Sequence, residues 1–277
     1  MDKKEIIDYY TQAEIDYKLY WHLGESMALH YGYWDETTKR LRDALRRENE
    51  VLAEKVAIKE GDTVLDAGCG VGGSSIFLAQ RYGCKVTGIS ITPVQIEEAV
   101  KNAMRFNVSD KVRFEVQDFT KTTFPDESFN VVWAIESVCH AHDKRDFLDE
   151  AYRVLKPGGR LIVADWFVSS IKDNDNLTVK RWIKGWAVES LETIGGFGGL
   201  ARDAGFQNVE TEDVTEHVIR SSKRLYQGFS PAMFITRLQE LIGMGNKFQR
   251  ANRESTKYQY LAIQNDLAQY GFISGRK

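Results

Sequence analysis

The chain has 277 residues, 43% hydrophobic and 28% charged, with a formal net charge of -3. These values fit one sizeable core in a globular protein. They leave no long basic tract for a nucleic-acid backbone, so no nucleic-acid partner is expected. Three scattered cysteines, Cys69, Cys84 and Cys139, lack Cys/His ligand spacing, so no structural zinc site is expected.

The odd cysteine count suits a reducing compartment. No segment reaches the ~18 apolar residues needed to span a bilayer. The opening MDKKEIIDYY has no apolar stretch of the secretory kind. A cytoplasmic location is expected, with contact at a membrane surface left open. Lys39-Arg40 and Arg46-Arg47 sit among acids and read as a solvated helix face.

In chain order, helices are predicted over residues 3–21 and 37–58, joined by the loop Ser26–Asp35. Asp35 or Thr37 is expected to cap the second helix. Thr63–Asp66 is a short apolar strand running into a glycine turn, followed by a helix over Ser74–Tyr82. Lys85–Ser90 is the next strand. Pro93–Asn107 follows as a helix, with proline near the first turn where a missing N–H costs nothing. Val112–Gln117 and Phe129–Ile135 read as strands, Lys144–Leu155 as an amphipathic helix and Arg160–Trp166 as a fifth strand. The stop between these last two is Lys156-Pro-Gly-Gly159. Beyond residue 170, helices are predicted over Leu177–Glu192, Gly195–Gly205, Ser221–Asn246 and residues 250–269. Strands are predicted over Asn208–Thr215 and Tyr270–Gly275. Strand–helix alternation with continuous apolar strands implies a mainly parallel sheet covered on both faces.

Gly68-x-Gly70-x-x-Gly73, between a strand and a helix, matches the dinucleotide fingerprint. Taken alone the pattern is shared by several cofactors, because glycines admit a ligand to the backbone and the helix N-terminus is positive. Asp66 at the end of the first strand would crowd a pyrophosphate but suits a ligand with a cationic amino group. A dinucleotide site also wants an acid about 20 residues on; Gly88-Ile-Ser90-Ile-Thr92 holds none.

Val64–Gly73 resembles motif I of the class I S-adenosylmethionine-dependent methyltransferases. Gln117-Asp118-Phe119 resembles their adenine-binding stretch, and Leu155–Gly159 the turn before their fifth strand. Ala134-Ile-Glu136-Ser-Val-Cys-His140-Ala is similar to the branch of sterol C-methyltransferases and tocopherol methyltransferases. The likeness covers roughly residues 20–170 and fades in the helical C-terminal part. It implies an α/β fold with a seven-stranded, mostly parallel Rossmann-like sheet, N-terminal helices and a helical C-terminal lid. The chain then reads as a single domain: a lid over 1–58, a cofactor-binding core over 59–170, and substrate-cap helices and last strands over 171–277. The implied cofactor is S-adenosyl-L-methionine, bound by Tyr17, Tyr31, Tyr33, Asp66, Gly68, Gly70, Ser90, Gln95, Asp118, Phe119 and Ile135. Ser90 and Gln95 stand in for the missing ribose-binding acid, although an exposed helical Gln95 is the plainer alternative.

Methyl transfer needs the acceptor ~3–3.5 Å from the methyl group, water excluded, and a base only where a proton must leave. His140 is the first candidate base, since imidazole titrates near neutral pH. Glu136 is the second catalytic candidate, as a carboxylate near the sulfonium. His142, beside Asp143-Lys-Arg, reads as solvent-facing. Tyr17, Tyr20, Tyr31, Tyr33 and Trp34 form the expected aromatic lid. Trp166, Phe167, Trp182, Trp186, Phe197, Phe229 and Phe234 are candidates for an acceptor pocket, with core packing as their alternative. The leading acceptor is a prenyl-derived or sterol-like lipid, methylated on carbon or oxygen. The rivals are N-methylation of a small amine, a nicotinamide dehydrogenase and a non-catalytic cofactor binder.

Overall fold

A computed structural model describes Ile7, residues 30–241 and residues 247–277, with the backbone alone over 229–241 and 247–249. Apart from Ile7, the expected helix over 3–21 lies outside the described residues, as do Tyr17 and Tyr20. The described chain opens with an extended stretch, then α1 (Leu41–Lys55). Strands and helices then alternate: β1 (Thr63–Ala67), α2 (Gly73–Tyr82), β2 (Lys85–Ser90), α3 (Pro93–Arg105), β3 (Val112–Val116) and β4 (Phe129–Ile135). A short 3-10 turn, Val138–His140, leads to α4 (Lys144–Val154) and β5 (Leu155–Val168). The remainder is α5 (Leu177–Gly185), α6 (Ile194–Asp203), β6 (Gln207–Asp213), α7 (Thr215–Leu241), α8 (Lys247–Gln264) and β7 (Ala268–Arg276).

The seven strands form one sheet in the order β3-β2-β1-β4-β5-β7-β6. The first five are parallel; β7 runs antiparallel to both β5 and β6. β1 pairs with β2 on one side and β4 on the other, so the strand order reverses at β1. A crevice therefore opens at the carboxyl ends of β1 and β4, where ligands bind in open α/β sheets. Alternate residues of β5 feed opposite cores, as a strand's period of two requires. Ile162, Ala164, Trp166 and Val168 face α1, α5, α7 and α8, while Leu161, Val163 and Phe167 face α4 and α6.

Three expectations need correction. Asp35 and Thr37 do not cap α1, which begins at Leu41. Asp35 instead accepts from the Thr37 amide at 2.9 Å and from Arg47 Nε at 2.9 Å. The expected helix over Leu177–Glu192 stops at Gly185, and Ala187 turns the chain with a left-handed φ of 47–55° shared by several tight bends, its own being 55°. α7 starts at Thr215, earlier than the apolar pattern indicates, because Asp213 Oδ1 accepts from the Thr215 amide at 2.9 Å.

Candidate active site

The crevice at the ends of β1, β2 and β4 is a cleft lined by Asp66, Gly68, Gly70, Ser90, Gln95, Asp118, Phe119, Ile135, Glu136 and His140. All ten are expected site residues, brought together by the four segments that end or follow β1, β2, β3 and β4. Asp66 lies next to the end of β1 with its side chain buried, and its Oδ2 accepts from Ser75 Oγ of α2 at 2.6 Å. Burial pushes its carboxyl up to about 6, against the Ser75 hydrogen bond and the nearby His30. Gly68 has φ +100°, and a Cβ there would meet Ser137 Cβ at 2.3 Å. The glycine is therefore needed where the loop after β4 crosses the loop after β1, which Ser137 Oγ ties by donating to Ala67 O at 2.6 Å. Gly73 and Ser74, in the first turn of α2, also face the cleft.

At the end of β2, Ser90 Oγ donates to Gln95 Oε1 at 2.8 Å and accepts from the Thr92 amide at 3.1 Å. This small polar pair occupies the place where an acid was missing, so Gln95 faces the cleft rather than solvent. Thr92 is buried beside it, and its hydroxyl has no partner among the described residues. A buried hydroxyl of this kind fits a ligand with hydroxyls of its own. Asp118 Oδ1 accepts from the Thr120 amide and hydroxyl, both at 2.8 Å, and Phe119 packs edge-on against Phe147 at 5.5 Å. A buried carboxylate, a Ser/Gln/Thr cluster and an Asp–Phe pair thus fit, in turn, the amino acid, ribose and adenine parts of S-adenosylmethionine.

Glu136 follows β4 with a left-handed φ of 47°, an uncommon backbone state for a non-glycine residue. Its amide donates to Ala164 O at 2.8 Å, and its Oε1 accepts from the Tyr31 amide at 2.6 Å. Burial, then the charge of Glu48, raise its carboxyl to about 8, against the Tyr31 amide and His30. His140 lines the same cleft, with Nδ1 at 3.2 Å from Ala187 O. That contact puts the proton on Nδ1 and the lone pair on Nε2. Burial lowers the ring to about 4, so it is neutral at physiological pH. His142 sits at the exposed mouth, 2.8 Å from Glu189.

The expected lid is not built from Tyr31 and Tyr33. Tyr31 is 1% exposed; its ring lies 5.0 Å from Trp166, and its hydroxyl donates to Gln259 at 2.5 Å. Burying such a ring is worth roughly 1.5–3 kcal/mol, which holds it in the core. Tyr33 stacks on His217 at 4.1 Å. Trp34 is tied to α7 through its amide to His217 O at 2.7 Å and its indole to Ser221 at 2.8 Å. These bonds draw the aromatic stretch along α7, and none of the three rings lines the cleft. Phe167 and Phe197 pack on each other at 5.8 Å in the core on the opposite face of the sheet. Trp166 and Trp182 are buried core residues 5.6 Å apart. The side chains of Phe229 and Phe234 lie outside the described residues.

Sequence reasoning missed His30, which lines the cleft, and Glu48 and Tyr270 behind it. Glu48 carried a readable signal. Leu45, Glu48, Asn49 and Leu52 share the i, i+3, i+4, i+7 stripe of α1, and all four are buried. A carboxylate on an apolar stripe marks a partner inside.

Residues 65–163 match the model of the methyltransferase domain family. The chain is 36% identical over 190 residues to the 27-O-demethylrifamycin SV methyltransferase of Amycolatopsis mediterranei, covering 68% of this chain and 70% of that one. It is 35% identical over 177 residues to a sterol 24-C-methyltransferase of Gibberella zeae, covering 62% of this chain. That match spans 46% of the sterol enzyme, less than half its length. A solved geranyl diphosphate methyltransferase, in complex with GPP and sinefungin, shares the fold. It superposes with a TM-score of 0.77 at 19% identity, covering 99% of this chain and 98% of that one. The dehydrogenase reading falls away, since likeness and cleft agree on one donor. The chain belongs to the S-adenosylmethionine-dependent methyltransferases, enzymes that draw on S-adenosylmethionine as the source of the methyl group.

Proposed function

We propose that the protein methylates a carbon or an oxygen of a bulky, carbon-rich small molecule of the prenyl or sterol kind. The observation that carries this reading is the juxtaposition of Glu136 and His140 with Asp66, Ser90, Gln95 and Asp118 in one cleft. Asp66, Gly68, Gly70, Ser90, Gln95, Asp118, Phe119 and Ile135 hold the donor. Bound there, the sulfonium supplies an activated methyl group and a neutral thioether leaving group. Asp66 pairs with the donor's ammonium, and Ser90, Thr92 and Gln95 meet its ribose. Glu136 faces developing charge at the reacting centre, and His140 Nε2 accepts a proton from an acceptor hydroxyl or from a methylated carbocation. α5, α7 and α8 cover this end of the sheet and form the acceptor cap of one continuous domain. Three unpaired thiols, Cys69, Cys84 and Cys139, support action in a reducing compartment such as the cytoplasm. Among the described residues, no helix is long and apolar enough to cross a membrane; a lipid acceptor would be taken from a membrane surface.

A second reading, O-methylation of a hydroxyl on a macrocyclic scaffold, is favoured by the likeness to the rifamycin enzyme over two thirds of both chains. The test is a turnover screen following S-adenosylhomocysteine across prenyl and sterol lipids, hydroxylated macrocycles and small amines. Turnover with a lipid or a hydroxylated scaffold is expected, falling at least tenfold in His140→Ala. Turnover with amines alone, undiminished in His140→Ala, would replace this reading with N-methylation. Tight donor binding with no product from any acceptor would leave a non-catalytic binder.

A further inference from the structure

Behind the cleft wall lies a set of buried acids that methyl transfer by itself does not require. Glu136 Oε1 is 3.1 Å from the Tyr270 hydroxyl, and that hydroxyl is 2.6 Å from Glu48 Oε1. Glu48 and Tyr270 are both fully buried. A phenol carries one proton, so it can donate to one of the two carboxylates at a time. Glu48 Oε2 is in turn 2.7 Å from Nδ1 of His30, which lines the cleft and whose Nε2 lies 3.2 Å from the Asn49 amide. The groups facing Glu136 are thus His30 and the Tyr31 amide before α1, Glu48 on α1, Asp165 on β5 and Tyr270 on β7. Three of them are carboxyl or phenol groups, and His30 is the cation. Two carboxylates bridged by one buried hydroxyl cannot both carry charge cheaply unless a further cation is near.

We infer that Glu48, Tyr270 and His30 are positioning residues that make Glu136 a sensor of the methyl donor's positive charge. In the donor-free protein Glu136 holds a proton. On binding of the sulfonium, the Glu136 O–H bond breaks, the proton leaves to solvent through the cleft, and the carboxylate remains opposite the cation. After transfer the thioether is neutral, and Glu136 takes a proton back from solvent through the cleft, while the acceptor's proton stays with His140. The cleft thereby prefers the charged donor to its neutral product. The raised carboxyl of Glu136, at about 8, accords with this. Burial opposes a charge on His30, but the charge of Glu48 and its hydrogen bond are the chief causes that raise that ring, to about 9. The inference rests on the reading of the cleft as the donor site.

Calorimetric titration of the full chain with S-adenosylmethionine and with S-adenosylhomocysteine, in phosphate and in Tris near pH 7, counts the protons exchanged without any turnover. Wild type is expected to release protons on binding the methionine ligand and far fewer on binding the homocysteine ligand. Glu136→Gln should lose most of the first release and leave the second unchanged. In Glu48→Gln the pH of half-maximal release should move down, because the negative neighbour of Glu136 is gone. Equal release by wild type and Glu136→Gln would overturn the sensor. Failure of wild type to bind S-adenosylmethionine would instead overturn the donor reading. Should Glu48→Gln not fold, difference infrared spectra of wild type and Glu136→Gln decide the same point. A carboxylic acid band lost on donor binding is expected in wild type alone, and its absence from wild type overturns the proposal.

Discussion

On the proposed donor reading, Asp66 serves binding at the expense of stability. Its carboxyl is raised from 3.8 to about 6 in the fold, chiefly by burial. The folded chain therefore binds more protons than the unfolded chain between those two values. By linkage, Asp66 costs stability as pH rises through about 4 to 6, and the full cost persists above. Asp66→Asn is expected to stabilise the donor-free protein at neutral pH by on the order of 1–3 kcal/mol. It should also weaken S-adenosylmethionine binding at least tenfold. Urea midpoints and calorimetry check the two halves separately; a variant that is less stable and binds normally would contradict both. His140 runs the other way. Burial holds its ring down at about 4, so its base form is present throughout the neutral range.

At the scale of elements, α5 and α8 meet closely enough to exclude a side chain. A Cβ on Gly185 would lie 1.8 Å from Ser255 Oγ and 2.5 Å from Ala251 O. Ser255 Oγ donates within the same contact, 3.0 Å from Trp182 O. Gly185→Ala must push the helices apart, at an expected cost of ~1–3 kcal/mol. Because α5 contributes no residue to the cleft, donor affinity should be unchanged. A denaturant midpoint at the wild-type value would show that the helices do not pack this tightly. The same contact explains why α5 ends sooner than its apolar period indicates: the helix stops at the glycine that admits α8. α1 is also shorter than the periodicity predicts, since its first turn begins only where Asp43 can accept from the Arg40 amide at 3.2 Å.

For the whole molecule, β7 is the strand on which the sheet and the site both depend. It lies between β5 and β6, antiparallel to each, and it carries Tyr270 to the carboxylates of Glu48 and Glu136. Deleting residues 268–276 would strip β5 and β6 of their shared partner and expose two edges. The expected result is loss of the cooperative thermal transition followed by circular dichroism. Retention of that transition would show that the parallel half of the sheet folds without it.

The sequence by itself determined the parallel core and which residues line the candidate cleft. The central strands β1, β4 and β5 are largely apolar runs, and Asp66, Ser90 and Asp118 sit at or just past strand ends, with Gln95 in the first turn of the helix after β2. A parallel sheet brings those ends to one edge whatever the remaining packing, so local chemistry was sufficient. Tertiary structure alone decided the packing of Tyr31 and Tyr33, the place of His30 and the Glu48–Tyr270–Glu136 contacts. The Tyr270–Glu48 hydrogen bond joins residues 222 apart in the chain. An aromatic ring can cover a ligand or fill a core, and a buried acid can find several partners. The choice rests on which helix packs over which strand, and no local pattern encodes that.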